Sequence, residues 1–287
     1  ERLNKSFMKI LYISKSIIPS RSANSIHVMK MCQAFANNGH KVVLLAPNIK
    51  NQYEKNVNNI YNFYAVKNNF HIIKLLHPNF KGGALIYIIS IFFYLLFNRG
   101  FDLIYGRFLH GIYAATFLNN KVIYETHLPV SNKKNHRLII FKRLIKSKYL
   151  IKMVVISKAL KKIYLEKGFL NESKIQVAHD GADSVENLNN KIELLGEKKN
   201  LKVGYVGHLY KGRGVQTIID CAKKLNDMTF HLVGGLTKDI EYWKYILKKL
   251  NIEKIYFYGF VSPIETIKYR NSFDIFLAPY EKEISVF

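Results

Sequence analysis

The sequence predicts an α/β protein with parallel sheets in two domains. Short apolar runs rich in β-branched residues alternate with helical patterns along the chain, which is typical of βαβ units. The length of 287 residues corresponds to two domains at roughly 150 residues each. A polar stretch at residues 184–200 separates two groups of these elements. We therefore predict an N-terminal domain over residues 1–185, a linker over 186–200 and a C-terminal domain over 201–287.

The apolar runs predict the strands of two sheets. In the first domain they are Met8–Ile13, Lys41–Ala46, Asp102–Gly106, Lys121–Glu125, Met153–Ile156 and Lys174–Ala178. In the second they are Lys202–Gly207, Thr229–Gly234, Ile255–Gly259 and Asp274–Ala278. Residues 48–70 are rich in Asn and Tyr and poorly periodic, so we expect loops there and room for an antiparallel excursion.

Two helices are specified by apolar residues that recur at helical spacing. The first is predicted to be capped by Ser25. Its apolar face consists of Val28, Met31, Cys32, Phe35 and Ala36. The face of the second consists of Val215, Ile218, Ile219, Ala222 and Leu225.

Ala84–Phe97 is the most apolar segment of the chain. It is shorter than the about 20 residues that span a bilayer, so it predicts a helix packed on the sheet. Its aromatic residues and the nearby Arg99 also fit a helix lying at a membrane surface. Those aromatic residues are Tyr87, Phe92, Phe93, Tyr94 and Phe97.

The charge balance indicates an anionic partner. The chain has 44 Lys and Arg against 20 Asp and Glu, a net charge of +24, which suits a phosphorylated ligand, a membrane surface or a nucleic acid.

Composition excludes several other classes of protein. A hydrophobic content of 49% excludes a disordered chain. Cys32 and Cys221 fall in separate predicted helices, which argues against a disulfide or zinc framework. Residues 1–20 lack the apolar run of a signal peptide, so we expect a cytoplasmic protein.

A glycine-rich turn follows the first predicted strand of the second domain, and a predicted helix begins directly after it. Its glycine and basic residues are Gly207, His208, Lys211, Gly212, Arg213 and Gly214. Glycines let the backbone approach an anion, helix N-terminal amides point toward it, and basic side chains neutralise it. The turn therefore predicts phosphate binding.

Several other chemistries lack their motifs. Gly212-x-Gly214-x-x-Thr217 approaches the dinucleotide fingerprint, but Val233-Gly234-Gly235 stands where an acidic ribose ligand is required, which disfavours a nicotinamide cofactor. The sequence contains no P-loop, no H-E-x-x-H, no paired Cys, no Asp-x-Asp and no G-x-S-x-G. We therefore expect neither a cofactor nor a metal.

Tyr124–Pro129 places a polar cluster at the carboxyl end of a predicted strand, where ligands of open α/β sheets bind. It contains His127. From position alone, a structural role for this histidine is as plausible as a functional one.

Taken in order, these segments resemble the family 4 glycosyltransferases, which have the GT-B architecture of two Rossmann-like doubly wound domains facing across a cleft. The resemblance covers the chain from about Met8 to Pro279. It rests on Met8–Ile13, Ser25–Ala36, Gly39–Val42, Phe101–Arg107, Tyr124–His127, Val155–Ser157, Val177–Asp183, Tyr205–Gly214, Leu232–Gly235 and Phe257–Val261.

The resemblance implies transfer of a sugar from a nucleotide-sugar donor with retention, without metal or cofactor. The implied acceptor is a polysaccharide, a lipopolysaccharide or another glycan or lipid-linked molecule, such as those of bacterial surface polysaccharide synthesis. The donor would lie on the second domain and the acceptor on the first. The enzyme would be cytoplasmic or peripheral on the inner face of the plasma membrane.

The resemblance also implies residue roles. His127 would hydrogen-bond the reacting sugar, and Arg213 would neutralise the leaving phosphate. Implied donor contacts are Gly207, His208, Lys211, Gly212, Gly214, Gly234, Gly259, Glu281 and Glu283. His208 stands where the family has Arg, and Ser22 and Asn24 lie in the loop that replaces the family's paired glycines.

The end of the chain departs from the family pattern. The family continues into a Glu-x7-Glu signature, of which Glu281 or Glu283 would be the first glutamate. From this departure we expect an incomplete second domain and weakened activity.

Two other readings fit the positive charge. One is a non-catalytic protein that binds membrane surfaces through Ala84–Phe97. The other is a nucleic-acid-binding protein using Lys142–Lys152, but that run fits a solvated helix face and no recognition module is visible. We therefore expect no nucleic-acid partner.

Overall fold

The computed structural model describes residues 7–51, 54–130, 136–184 and 189–281. By its internal contacts the chain divides into two compact units, Glu1–Gly181 and Ala182–Phe287. The predicted linker, residues 186–200, falls within the beginning of the second unit.

The first unit contains a parallel sheet of seven strands. They are β1 (Lys9–Ile13), β2 (Lys41–Asn48), β3 (His71–Leu76), β4 (Leu103–Gly106), β5 (Val122–Thr126), β6 (Leu150–Val155) and β7 (Ile175–Val177). Their order is β3-β2-β1-β4-β5-β6-β7. Every neighbouring pair is parallel.

Strand β3 was not predicted. Its residues alternate between exposed and partly buried, and Lys74 interrupts the apolar run, because β3 lies at the edge of the sheet. It pairs in parallel with β2. The expected antiparallel excursion in residues 48–70 is wrong for the residues described there, which contain one short helix and no strand beyond the end of β2.

Helices cover both faces of this sheet. They are α1 (Ala23–Asn37), α2 (Ile60–Phe63), α3 (Gly83–Phe97), α4 (Leu109–Thr116), α5 (His136–Ile145) and α6 (Lys158–Glu166). Successive residues of a strand point to opposite faces. Accordingly, Ile10 and Tyr12 of β1 pack with α1 and α2, whereas Leu11 and Ile13 pack with the cluster formed by α3 to α6. The first unit is therefore doubly wound.

Helix α1 begins earlier than predicted. Its N-cap is Ser22, which has an extended backbone and whose side chain accepts a hydrogen bond from the Ser25 amide. Ser25 lies inside the first turn, is fully buried, and donates its hydroxyl proton to the carbonyls of Ser20 and Ser22. The predicted cap at Ser25 is therefore wrong by one turn.

Helix α3 is apolar on two opposite sides. Tyr87, Ile91 and Leu95 are buried in the core, which confirms a helix packed on the sheet. Tyr87 donates a hydrogen bond to the carbonyl of Ser14 at 2.6 Å, so its predicted place at a membrane surface is wrong. The exposed stripe, the name used below for the side chains facing away from the core, consists of Leu85, Ile89, Phe93 and Phe97.

The Lys-rich run Lys142–Lys152 is not one helix face. Helix α5 ends at Ile145 and β6 begins at Leu150, so the run crosses a helix end, a turn and a strand. Among the described helices, none combines the length and the apolarity required to cross a bilayer.

The second unit has a parallel sheet in the order β10-β9-β8-β11. Its strands are β8 (Leu201–Val206), β9 (Met228–Val233), β10 (Ile255–Gly259) and β11 (Ile275–Phe276), and its helices are α7 (Val215–Lys224), α8 (Thr237–Lys249) and α9 (Pro263–Asn271). Four of the five predicted apolar residues of α7 are buried, but Leu225 is the C-cap and is 37% exposed. Strand β11 is shorter than predicted, and both of its residues are exposed.

Candidate functional site

The candidate functional residues of the first unit collect at the carboxyl edge of its sheet, where open α/β sheets bind ligands. Glu125 is the next-to-last residue of β5, which ends at Thr126, and His127 follows directly after the strand. The start of α1 brings His27 to the same place. The ring centroids of His27 and His127 are 4.8 Å apart in an edge-on arrangement. The neighbouring residues Glu125 and His127 therefore meet an imidazole, His27, that is distant in sequence.

Glu125 is the centre of this group, and its side chain is 3% exposed. Its Oε1 lies 2.5 Å from His127 Nε2 in a hydrogen bond and 2.7 Å from His27 Nε2. His27 Nε2 is buried and is not aligned for a hydrogen bond with any described residue, so its approach to Oε1 is a close polar contact. The Tyr105 hydroxyl donates to Oε2 at 2.7 Å. Both carboxylate oxygens are thus in use.

The surroundings of Glu125 favour its charged form. Burial alone would raise the pKa of this carboxyl, but hydrogen bonds from His127 and Tyr105 and the close approach of the His27 imidazole hold the pKa well below its usual range. Arg107 adds positive charge, since its Nε lies 3.8 Å from Oε1. Glu125 is therefore ionised at neutral pH.

Asp180 brings a second carboxylate to this group. Its Oδ1 lies 3.6 Å from His27 Nδ1 and 4.0 Å from His127 Nε2, and its side chain is 55% exposed. His27, His127 and Asp180 offer three donor atoms within 4.8 Å of one another, a spacing that could hold a metal ion. The sequence analysis did not foresee this group, because its members come from three distant positions that match no metal motif.

The predicted N-terminal loop residues lie near the same edge. Ser22 caps α1, and the Asn24 amide donates to the hydroxyl of Ser16 in the segment after β1. Both side chains hold the loop and the helix start that carries His27. Their predicted part in donor binding stays a prediction.

The second unit builds its site largely from backbone. Strand β8 ends at Val206, the predicted glycine-rich turn follows, and α7 begins at Val215. Gly214 is the N-cap of α7 in a left-handed conformation (φ +76°), and no side chain caps this helix. A Cβ on Gly214 would lie 1.9 Å from the carbonyl oxygen of Pro279, so only glycine fits. The N-terminal amides of α7 are thus left without a side-chain cap, as an anion site requires.

Arg213 is held in place by two tyrosines. Its guanidinium carbon lies 4.8 Å from the ring centroid of Tyr210 and 5.2 Å from that of Tyr280. Its Nη2 also donates to the hydroxyl of Tyr210. Such stacking reduces the freedom that a long side chain would lose on binding an anion.

His208 and Lys211 differ in their surroundings. Burial and the neighbouring Arg213 lower the pKa of His208, so this imidazole is neutral at pH 7 and donates only one hydrogen bond. Lys211 is exposed and brings a full positive charge to the same turn.

The remaining predicted glycines bring neighbouring turns together. A Cβ on Gly234 would lie 2.3 Å from the carbonyl oxygen of Gly207, and the Gly234 amide donates to the Gly259 carbonyl at 2.7 Å. The Glu281 amide donates to the Gly212 carbonyl at 3.1 Å, which brings this predicted glutamate to the turn. Glu283 lies outside the described residues.

Trp243 supports the glycine-rich turn of the second unit. Trp243 of α8 is 9% exposed, and its Nε1 donates to the carbonyl of Leu209 at 2.7 Å. The middle of the turn is therefore tied to the core of the second unit.

The sequence analysis missed His27, Glu125, Asp180 and the two tyrosines that hold Arg213 as members of these sites. Glu125 was visible as part of the segment that contains His127. The others have no local motif, and only the rule that ligands bind at carboxyl ends of strands could have indicated them.

Comparisons with known proteins agree with this architecture. Residues 25–186 match the model of Glycosyltransferase Family 4. An uncharacterized glycosyltransferase of Methanocaldococcus jannaschii is 29% identical over 183 residues, which is 60% of this chain and 44% of that protein. The chain thus spans less than half the length of this relative.

Two solved structures resemble the fold. The crystal structure of Anabaena HepE in complex with UDP and glucose has a TM-score of 0.64 at 16% identity, covering 94% of this chain and 73% of that chain. Sucrose-phosphate synthase from Thermosynechococcus elongatus has a TM-score of 0.68 at 14% identity, covering 95% and 75%. At these identities the likeness concerns the fold alone, and it confirms the predicted GT-B fold class.

Proposed function

The chain belongs to glycosyltransferase family 4, and on that premise we propose that it transfers a sugar from a nucleotide-sugar donor to a glycan or lipid-linked acceptor. The observation that carries this proposal is the glycine-rich turn after β8. There an uncapped helix N-terminus, a guanidinium fixed by two tyrosines and an exposed lysine converge on one turn. This arrangement supports binding of a diphosphate.

The chemistry of the transfer explains why such a turn is needed. When the bond between the anomeric carbon and the phosphate breaks, negative charge develops on the departing diphosphate. Preorganised amides and a cation aimed at that charge stabilise the transition state more than the bound donor. Arg213 and the first amides of α7 would supply this stabilisation, with Lys211 adding charge.

The proposed transfer retains the configuration of the sugar and uses no metal. The departing phosphate oxygen takes the proton of the acceptor hydroxyl on the same face, so that the acceptor oxygen bonds to the anomeric carbon as the phosphate leaves. Glu125 supports a route without a covalent intermediate, because this buried carboxylate has both oxygens engaged and is unsuited to act as a nucleophile. Anomer analysis of the product by NMR and activity in the presence of EDTA test both points.

Donor binding is the direct test of this proposal. We expect a panel of UDP-, GDP- and ADP-sugars to contain a donor that raises the melting temperature of the protein. UDP-glucose is the first candidate, since the fold neighbour HepE was solved with UDP and glucose. Ligands that bind only the folded state stabilise it by mass action.

Two variants locate the binding. Arg213→Ala removes the stacked guanidinium and should weaken the donor shift by about tenfold or more in apparent Kd, as expected for a charge-assisted contact. Arg270→Ala, on an exposed position of α9 in the same unit, removes the same charge and should leave the shift intact. Equal behaviour of the two variants, or no shift with any nucleotide sugar, would contradict the proposal.

A second candidate role is attachment to an anionic membrane surface. It is favoured by the exposed stripe of α3, whose members Leu85 and Phe93 are 62% and 50% exposed and whose last member Phe97 is 79% exposed. Lys81 and Arg99 stand exposed at the two ends of the helix, and the net charge is +24. Basic residues beside exposed apolar side chains suit an anionic bilayer surface.

Vesicle flotation tests this attachment. Vesicles containing phosphatidylglycerol should carry the protein, and neutral phosphatidylcholine vesicles should not. Replacing Phe93 and Phe97 by Ser should reduce binding about tenfold or more, given the apolar area lost. Replacing Tyr242 and Tyr245 of α8, each 56% exposed, by Ser is the matched control. Binding that survives the first pair of changes, or falls equally with the second, argues against the stripe.

A further inference from the structure

A second group of side chains lies at the carboxyl edge of the sheet in the first unit. Lys15 follows β1, His110 is the second residue of α4, and His136 and Arg137 begin α5. We call these four residues the basic cluster. The strands that precede these elements, β1, β4 and β5, are neighbours in the sheet. Four basic side chains from three distant parts of the sequence therefore gather at adjacent strand ends.

Ring contacts join three members of the basic cluster. The ring centroids of His110 and His136 are 5.6 Å apart. The ring of Phe108 lies 5.6 Å from that of His110, and its centroid is 5.8 Å from Lys15 Nζ. Phe108 is 7% exposed and belongs to the core on the side of α3 to α6. One buried phenyl ring therefore supports both a lysine and a histidine at the surface.

The basic cluster and Glu125 lie on opposite faces of the sheet. Glu125 accepts a hydrogen bond from Tyr105, which packs in the core on the side of α1. Tyr124 packs in the core on the side of α3 to α6. Burial raises the pKa of Tyr124, and the charge of Arg137 opposes that rise, so Arg137 acts on this second face. The basic cluster is therefore separate from the group around Glu125.

The basic cluster has no carboxylate partner among the described residues. None of the ion pairs found there includes any of its four members. Burial lowers the pKa of His110, and the charges of His136, Lys15 and Arg137 lower it further. Like charges held close together repel one another. A bound anion would relieve that repulsion.

The backbone beside Lys15 is fixed although its side chain is exposed. Ser14 and Ser16 are 2% and 6% exposed. The Ser14 amide donates to the Leu45 carbonyl at 3.0 Å, and the Ser14 carbonyl accepts the Tyr87 hydroxyl at 2.6 Å. The Ser16 amide donates to Ser14 Oγ at 2.9 Å. Because its backbone is already ordered, Lys15 loses less freedom when it binds a ligand.

We propose that the basic cluster binds a phosphate group carried by the acceptor. This inference rests on the proposed glycosyl transfer and names the chemistry of its acceptor. The diphosphate of the donor has its own cations at the glycine-rich turn of the second unit, so a separate set in the first unit suits the other substrate. Arg137 offers a planar fork and Lys15 a compact charge, both of which bind phosphate. Protonated imidazoles add further donors.

Histidine ring NMR tests this binding with the donor absent. In the full ¹⁵N-labelled chain, His110→Gln and His136→Gln assign the two ring signals. We expect inorganic phosphate and glucose 1-phosphate to move both signals saturably toward the protonated form, because a nearby anion favours the charged imidazole. Glucose, and sodium chloride at the same ionic strength, should not move them.

Two pairs of substitutions locate the anion. Lys15→Met with Arg137→Met should raise the apparent Kd for glucose 1-phosphate about tenfold or more, as expected when charge-assisted contacts are lost. Lys121→Met with Arg143→Met removes the same charge before β5 and in the last turn of α5, and should leave that Kd unchanged. All four residues are exposed, so both variants should keep the melting temperature of the wild type.

The carrier of the phosphate is either a soluble sugar or a lipid headgroup. Dihexanoyl phosphatidic acid, used below its micelle concentration, separates the two when its Kd is compared with that of glucose 1-phosphate. Tighter binding of one compound identifies the carrier, and similar binding of both indicates that the phosphate group alone is recognised. Three outcomes would overturn the proposal: ring signals that respond to neither phosphate compound, an equal response to chloride, or equal losses in the two pairs of variants.

Failure of this inference can be distinguished from failure of the proposed function. The melting shift caused by a nucleotide sugar should be the same in the Lys15→Met, Arg137→Met variant as in the wild type, because that ligand is proposed to bind the second unit. A protein that shows this shift without a phosphate response at His110 and His136 contradicts the inference alone. A protein that shows the phosphate response without any nucleotide-sugar shift contradicts the proposed transfer and leaves the anion site standing.

Discussion

The two sites differ in what they are built from. In the first unit, side chains form the site, since Glu125, His27 and His127 meet around one carboxylate oxygen. In the second unit, backbone forms much of it, through glycines in left-handed conformations and an uncapped helix N-terminus. The first site is expected to fail when a side chain is removed, and the second when one is added.

The two sites also differ in charge. The first holds carboxylates paired with imidazoles, and the second holds Arg213 and Lys211 with no described carboxylate side chain bonded to either. A saccharide and a diphosphate make opposite demands on a binding site. The first site therefore suits groups that donate hydrogen bonds, and the second suits an anion.

Adding a methyl group at Gly214 is expected to have the largest effect. A left-handed alanine costs about 1–2 kcal/mol, and a Cβ 1.9 Å from the Pro279 carbonyl oxygen adds overpacking of about 1–3 kcal/mol. We expect Gly214→Ala to lose about 3 kcal/mol of unfolding free energy in the second unit. Urea unfolding followed by hydrogen-exchange mass spectrometry measures this unit separately.

Gly168→Ala in the first unit is the comparison. Gly168 also has a positive φ (+63°), but a Cβ there meets nothing within 4 Å. This variant should lose only the backbone part, about 1–2 kcal/mol. A loss at Gly214 no larger than at Gly168 would show that the close approach to Pro279 does not shape the turn.

Mild acid is expected to lower the stability of the second unit by less than Gly214→Ala and by more than the removal of a helix cap. Burial, followed by the charge of Lys202, lowers the pKa of His231 to about 4. The unfolded chain takes up a proton at this histidine below about pH 6.5, whereas the folded unit does so only near pH 4. Stability therefore falls as the pH drops from 6.5 to 4, by about 2 kcal/mol at pH 5.

His231→Phe tests this expectation, because a phenyl group can keep the stacking on Tyr256 and Phe273 and does not titrate. Its loss of the hydrogen bonds to Thr229 and Tyr258 lowers stability equally at every pH between 7 and 5. The variant should show a flatter pH dependence of unfolding between pH 7 and 5. Glu125 in the first unit behaves differently, since its lowered pKa provides stability that is complete above about pH 4.5 and is lost only in stronger acid. An unchanged slope in His231→Phe would refute the role of this histidine.

Removing the cap of α1 is expected to have the smallest effect. Ser22→Ala leaves the Ser25 amide without its side-chain acceptor and should cost about 1 kcal/mol. Ser262→Ala removes the corresponding cap of α9 in the second unit and should cost a similar amount. A much larger loss for Ser22→Ala would mean that Ser22 supports the His27 site beyond capping the helix.

The central strands were predictable from sequence because both faces of a parallel sheet are covered, so each strand is a nearly continuous apolar run. Strand β3 was not, because an edge strand with alternating burial and a lysine loses that run. The cap of α1 was placed one turn late, since Ser22 and Ser25 are both good capping residues and only the backbone conformation distinguishes them.

The site was predictable only where it is local. The turn at residues 207–214 is contiguous, so its glycines and basic residues can be read from the sequence. The cluster around Glu125 joins β5 to the start of α1 and to the segment after β7, and sequence spacing does not indicate which of these side chains converge. Tyr280 beside Arg213 is missed for the same reason.

The hydrogen bond between Trp243 and Leu209 has a practical consequence. The chain contains a single tryptophan, and its indole is bonded to the backbone of the very turn that is proposed to receive the diphosphate. Intrinsic fluorescence therefore gives a label-free optical signal from one known position, with no competing emission from other indoles. Rapid-mixing experiments can use that signal to time how quickly this part of the protein responds to a ligand.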